Sequence, residues 1–113
     1  MKVKSGVVGD VTVLCARGKI TIGKGDLMLR DAIESALKSG YNKIILDLSG
    51  VTYMDSAGIG QLVTSTNHVL ARGGRLVLLR SKEDVKLQDL LQLTKLEEFY
   101  ETYDSILDAL AAL

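Results

Sequence analysis

Hydrophobic and polar positions alternate in two short runs at the start of the chain. Val3, Ser5 and Val7 alternate with Lys2, Lys4 and Gly6, and Val11, Val13 and Cys15 with Thr12, Leu14 and Ala16. A period of two is that of a strand. Gly9-Asp10 lies between the runs, and Gly9 can supply the positive φ of a tight turn, so the pattern predicts an antiparallel hairpin. From Asp26 to Ser39 the period lengthens: Leu29, Ala32, Ile33, Ala36 and Leu37 fall on one helical face, and Gly40 follows as a stop.

Lys43-Ile44-Ile45-Leu46-Asp47-Leu48 is almost continuously apolar, the signature of a central strand covered on both faces. The stretch from Asp47 to Ser56 is then expected to be a loop. A second helix is predicted from near Ser56 to about Arg72, with Ile59, Leu62, Val63, Thr66 and Leu70 inward and Gly73-Gly74 ending it. Arg75 to Leu79 reads as another buried strand. Ser81-Lys-Glu-Asp84 resembles a capping box opening a third helix with Val85, Leu87, Leu90 and Leu91 on its apolar face. Asp104 or Ser105 is expected to cap a last helix ending at Leu113.

Strands alternating with helices of this length predict an α/β fold. Its mixed sheet has an N-terminal antiparallel hairpin and parallel central strands, with about four helices around it. No internal repeat and no Pro/Gly/Ser-rich linker interrupts the 113 residues, so one domain over residues 1–113 is expected.

Composition narrows the function. Hydrophobic residues make up 47% and charged residues 25%, which suits a chain with a real core. Fourteen basic and fourteen acidic residues cancel, and neither sign forms a block that could follow a phosphate backbone or an anionic membrane. Direct nucleic-acid and membrane binding are therefore not expected. The N-terminus lacks the apolar run of a signal peptide, and no stretch of about eighteen apolar residues occurs, so a cytoplasmic protein is expected. The single cysteine, Cys15, cannot form an internal disulfide and is expected to be a small buried thiol.

In sheets of this kind, partners and ligands meet the loops at the carboxyl ends of strands. Ser56 stands there, where the apolar run of the second helix begins. Two roles compete for it. Asp55 or Ser56 can cap the helix by accepting from its unpaired N–H groups. Alternatively, the hydroxyl is a phosphate acceptor, since a helix start tolerates the added anion.

Other chemistries fit less well. Gly18-Lys-Ile-Thr-Ile-Gly23-Lys24-Gly25 has the spacing of a phosphate-binding loop, but Gly25 stands where a Ser or Thr holds Mg²⁺, and three β-branched residues crowd the loop. A strand end and a Gly-rich turn are the plainer reading. Asp47 ends an apolar run as in a phospho-aspartate receiver, yet the first strand ends in a hairpin without an acidic pair. Catalysis by Ser56 would need a base, and the only histidine, His68, lies twelve residues along the same helix, roughly 18 Å away. With Gln61, Ser65 and Arg72 it falls on the face opposite the apolar stripe, as a solvated residue. No catalytic residue, metal site or cofactor is predicted.

The segment Ile45-Leu-Asp-Leu-Ser-Gly-Val-Thr-Tyr-Met-Asp-Ser-Ala-Gly-Ile-Gly60 resembles the signature of the STAS family, the domain of anti-sigma factor antagonists and of sulphate-transporter tails. The likeness extends through the hairpin, Gly18-Lys-Ile, Gly73-Gly74 and the Leu-rich third helix. It implies the STAS fold and a regulatory, non-enzymatic role. By resemblance, Ser56 is phosphorylated by an anti-sigma factor with serine kinase activity and restored by a serine phosphatase. The unphosphorylated chain binds the anti-sigma factor through Asp55, Ala57, Gly58 and Ile59, which frees the sigma factor.

Two positions depart from the family pattern. Ala57 stands where a second hydroxyl is often found, leaving Ser56 alone at the motif. Thr21 replaces an aspartate that many members carry, so any kinase contact through that acid is lost unless Asp26 supplies a carboxylate nearby. A STAS scaffold module without a regulated serine is the alternative within the family.

Overall fold

A computed structural model of the chain describes residues 1–80 and 100–113. Among the described residues five strands form one sheet in the order β1-β2-β3-β4-β5, so each lies beside the next described strand along the chain. Strands β1 (Lys2–Val8) and β2 (Val11–Ile20) make the expected antiparallel hairpin, turning at Gly9 with φ of +62°. Strands β3 (Lys43–Met54), β4 (Arg75–Leu79) and β5 (Thr102–Tyr103) follow in parallel. The helices among the described residues are α1 (Gly25–Lys38), α2 (Ser56–Ala71) and α3 (Ile106–Ala112).

Helices α1 and α2 pack on each other and on one face of the sheet, while α3 lies over β4 and β5 on the other. The alternation within β3 explains why both faces are apolar. Ile44, Leu46 and Leu48 join Leu29, Ile33 and Leu62 in the larger core, and Ile45 joins Val11, Val77 and Ala109 in the smaller one. A strand buried on both sides has little use for polar residues.

Several expectations need correction. Most of the stretch from Asp47 to Ser56 is strand, because β3 continues to Met54. The extended β2 offers it backbone partners as far as Ile20↔Met54, and Val51 and Met54 are buried. Two register shifts, between Cys15 and Arg17 and between Gly18 and Lys19, absorb the irregular spacing that hid the strand. Cys15 is half-buried where a buried thiol was expected: it lies in β2, and among the described residues α3 packs on β4 and β5.

The inward face of α2 is also rotated from the predicted one. Gly58, Leu62, Ser65 and Val69 are buried, whereas Val63 and Leu70 are 39% and 55% exposed. Ser65, expected on the solvated face with Gln61, His68 and Arg72, is buried instead, because small residues such as Gly58 and Ser65 allow the close packing that sets the inward face. The Ser65 hydroxyl is satisfied inside by the Gln61 side-chain amide, which donates to it at 2.9 Å.

The predicted helix opening at Ser81 lies outside the described residues. Ser105 occupies the N-cap position of α3 without a side-chain capping bond. Strand β5, with only two residues, carried no periodic signal.

Candidate functional site

Ile20 and Met54 end the parallel strands β2 and β3 as register partners, so the chain leaves both strands side by side at one edge. From β2 it turns through residues 21–24 into α1. From β3 it passes through Asp55 alone into α2.

Asp55 joins the two connections. It is extended, with φ of −91° and ψ of −179°, and occupies the N-cap of α2. Its Oδ1 accepts from the Gly58 N–H at 2.8 Å, satisfying one of the orphan donors of the helix start. Its Oδ2 accepts from the Ile22 N–H at 2.9 Å, across 33 positions of sequence. The Asp55 N–H donates to the Ile20 carbonyl at 3.3 Å, and its carbonyl begins the helical ladder by accepting from Ile59 at 3.0 Å. The Ile22 bond first, and the Gly58 bond second, hold the Asp55 carboxyl below the usual carboxylate range.

Gly58 is required by this geometry. A Cβ there would press on the Ile20 carbonyl oxygen, closer than real side chains come, with the Ile20 carbonyl carbon at 3.0 Å. The first turn of α2 therefore sits directly on the end of β2.

Ser56 is the first residue of α2 and is exposed. Among the described residues none bonds to its hydroxyl. Of the two candidate caps, Asp55 is the one that caps α2, and the Ser56 hydroxyl takes no part in the capping. Ala57 and Ile59 are half-buried, and Ile59 packs against the larger core. Asp26 lies in the opening turn of α1, where its N–H donates to the Thr21 carbonyl at 3.1 Å and its Oδ1 accepts from Leu27 N–H at 2.8 Å. Its carboxylate is partly engaged on its own helix end, while its backbone closes the loop that Asp55 holds.

Sequence reasoning missed Ile22. Its side chain is 74% exposed, yet its backbone is fixed by Asp55. The only signal was the Gly23-Lys24-Gly25 turn beside it.

Gly18, Lys19 and Ile20 are part of β2, as the plainer reading had it, rather than a loop around a phosphate. Asp47 lies within β3, its Oδ1 accepting from Ser49 N–H at 2.9 Å and from the Ser49 hydroxyl, with the Cys15 thiol 3.8 Å from Oδ2. No acidic pair joins it among the described residues. His68 is 54% exposed and pairs with Glu34 of α1, Nδ1 to Oε1 at 2.7 Å, on the helix flank.

The STAS domain family matches this chain over residues 2–109. A Thermotoga maritima protein provisionally named an anti-sigma factor antagonist is 32% identical over 104 residues, covering 92% of this chain and 90% of the relative. The crystal structure of a Thermotoga maritima protein with the same provisional name superposes with a TM-score of 0.84 at 29% identity, covering 97% of this chain and 92% of that one. The Bacillus cell fate determinant SpoIIAA in its phosphorylated form shares the fold, with a TM-score of 0.71 at 19% identity and 98% coverage of each chain. Five strands in chain order, an Asp-capped helix start carrying an exposed serine, and a family match across nearly the whole length agree: the chain belongs to the STAS domain family.

Proposed function

We propose that this chain is an anti-sigma factor antagonist whose binding is switched by phosphorylation of Ser56. The carrying observation is the division of labour at the start of α2: Asp55 caps the helix, and the exposed Ser56 hydroxyl has no bond among the described residues. The relatives named as anti-sigma factor antagonists support the regulatory role.

In this reading the partner is an anti-sigma factor that is also a serine kinase. The unphosphorylated chain binds it through Asp55, Ser56, Ala57, Gly58 and Ile59, with Asp26 on the adjoining helix start, and the sigma factor is released. A phosphate on Ser56 adds about −1.5 to −2 charges beside the Asp55 carboxylate. An interface shaped for a neutral hydroxyl must then desolvate or repel that charge. A change of about 1.4 kcal/mol already alters affinity tenfold, so no refolding is required. A serine phosphatase resets the switch, and the exchange takes place in the cytoplasm. No helix among the described residues is long and apolar enough to cross a membrane.

The test uses the cognate kinase and labelled ATP. The label should reach Ser56, resist hydroxylamine, and be absent from Ser56→Ala. That variant should bind the kinase constitutively, and Ser56→Asp should bind weakly. Equal affinity of the two variants would overturn the switch and leave a STAS scaffold without a regulated serine.

A further inference from the structure

We infer that Ile22 is a specificity-determining contact for the kinase and that Asp55 is the positioning residue that fixes it beside Ser56; the inference rests on the reading of Ser56 as the switch. An exposed isoleucine is unremarkable by itself, since folded proteins scatter apolar side chains over their surfaces. Ile22 differs in how it is held. Its side chain is 74% exposed, but its N–H donates to Asp55 Oδ2 at 2.9 Å, and Asp55 is the residue immediately before Ser56. The other oxygen of the same carboxylate caps α2 at Gly58. One carboxylate therefore ties the backbone of Ile22 to the first turn of α2, where Ser56 stands.

Capping alone needs only one carboxylate oxygen. The second bond leaves the helix and reaches the β2–α1 connection, where the chain closes a further contact between Asp26 N–H and the Thr21 carbonyl. A surface residue anchored through its backbone loses less freedom on binding than one on a free loop, so its apolar area contributes more to affinity. The hydroxyl tells the kinase that the site is unmodified. Ile22, set at a fixed offset from it, tells the kinase which protein carries the site.

Asparagine separates the two duties of Asp55. It caps helices about as well as aspartate, but it has only one carbonyl oxygen, and its NH₂ cannot accept from Ile22. Asp55→Asn should therefore keep α2 and release Ile22.

The affinity of the purified cognate kinase is measured for the wild type, Ile22→Ala, Ile22→Lys, Asp55→Asn and the double variant Ile22→Ala/Asp55→Asn, with Ser56→Asp alongside. Ile22→Ala should weaken binding about tenfold, and Ile22→Lys should weaken it further. Asp55→Asn should weaken binding by a similar factor, and the double variant should bind no worse than the weaker single variant, the non-additivity expected of residues acting as a unit. Both Ile22 variants alter an exposed side chain, so they test the contact even where Asp55→Asn folds poorly. Wild-type affinity of Ile22→Ala overturns the inference while a weak Ser56→Asp leaves the switch standing. Fully additive losses overturn the positioning role of Asp55. A kinase that fails to bind or label the wild type overturns the switch and this inference together.

Discussion

The phenol oxygen of Tyr100 lies 2.7 Å from the hydroxyl of Thr66, and Thr66 in turn donates to the Leu62 carbonyl of α2 at 2.8 Å. Tyr100 is buried in the larger core and its hydroxyl has been drawn into a polar chain on the flank of α2. Tyr100→Phe keeps the ring and removes the contact with Thr66 together with a longer bond, 3.4 Å, that the phenol donates to the Leu62 carbonyl, while Thr66 keeps its own acceptor. The expected loss is about 0.5–1.5 kcal/mol, read from urea denaturation.

Alkaline pH tests the same contact. Burial raises the Tyr100 pKa above the ordinary tyrosine value, so the folded state holds this proton more tightly than the unfolded state. Its contribution is fully present below the unfolded value and is lost as pH rises towards the raised folded one. Tyr100→Phe should flatten the alkaline limb of the stability curve; an unchanged limb would contradict the burial of this hydroxyl.

Gly58→Ala should destabilise the fold through overpacking, by about 1–3 kcal/mol, because the added methyl meets the backbone of Ile20 and not a flexible side chain. Gly60→Ala is the control: nothing lies within 4 Å of its position. In an exposed helix interior it should be neutral or slightly stabilising. Equal melting temperatures for the two variants would contradict the close seating of α2 on β2.

Asp55 has the opposite pH signature to Tyr100. Its folded pKa is depressed by the Ile22 and Gly58 N–H groups, so its stabilising effect is present above the unfolded aspartate value and disappears as pH falls through the folded one. Asp55→Asn should reduce the steepness of acid unfolding relative to the wild type. The comparison must be made between variants, since Asp10 and Glu101 are depressed by their own partners.

The Cys15 thiol is pushed above its ordinary value by burial first and by the neighbouring Asp47 charge second. Less thiolate means slower alkylation. Iodoacetamide should label the native chain more slowly than a free thiol at pH 8, and Asp47→Asn should speed the reaction. A native rate equal to that of the unfolded chain would show that neither cause operates.

The architecture was legible where one spacing admitted one answer. The hairpin, α1 and β4 followed directly from their periods and turn residues, and the unbroken apolar run of β3 announced its burial on both faces. Ambiguity entered where periodicity was weak. Two register shifts disguised the second half of β3 as loop, and α2 offered apolar residues on too many sides for Val63 and Leu70 to be told from Val69. At the candidate site, the motif drew attention to Ser56 and its neighbours, but no local pattern could pair Asp55 with Ile22. Their contact depends on β2 and β3 ending together, a property of the assembled sheet.

Strand order in this sheet is also the order of synthesis. Among the described strands, each one after β1 leaves the ribosome when the neighbour it pairs with has already been made. Pairing with the preceding strand keeps the loop that must be closed for each new pair shorter than pairing with a more distant one would. Ile22, Asp55 and Ser56 all precede the end of α2 at Ala71, so the surface proposed to meet a partner is encoded ahead of β5 and α3 and leaves the ribosome before them.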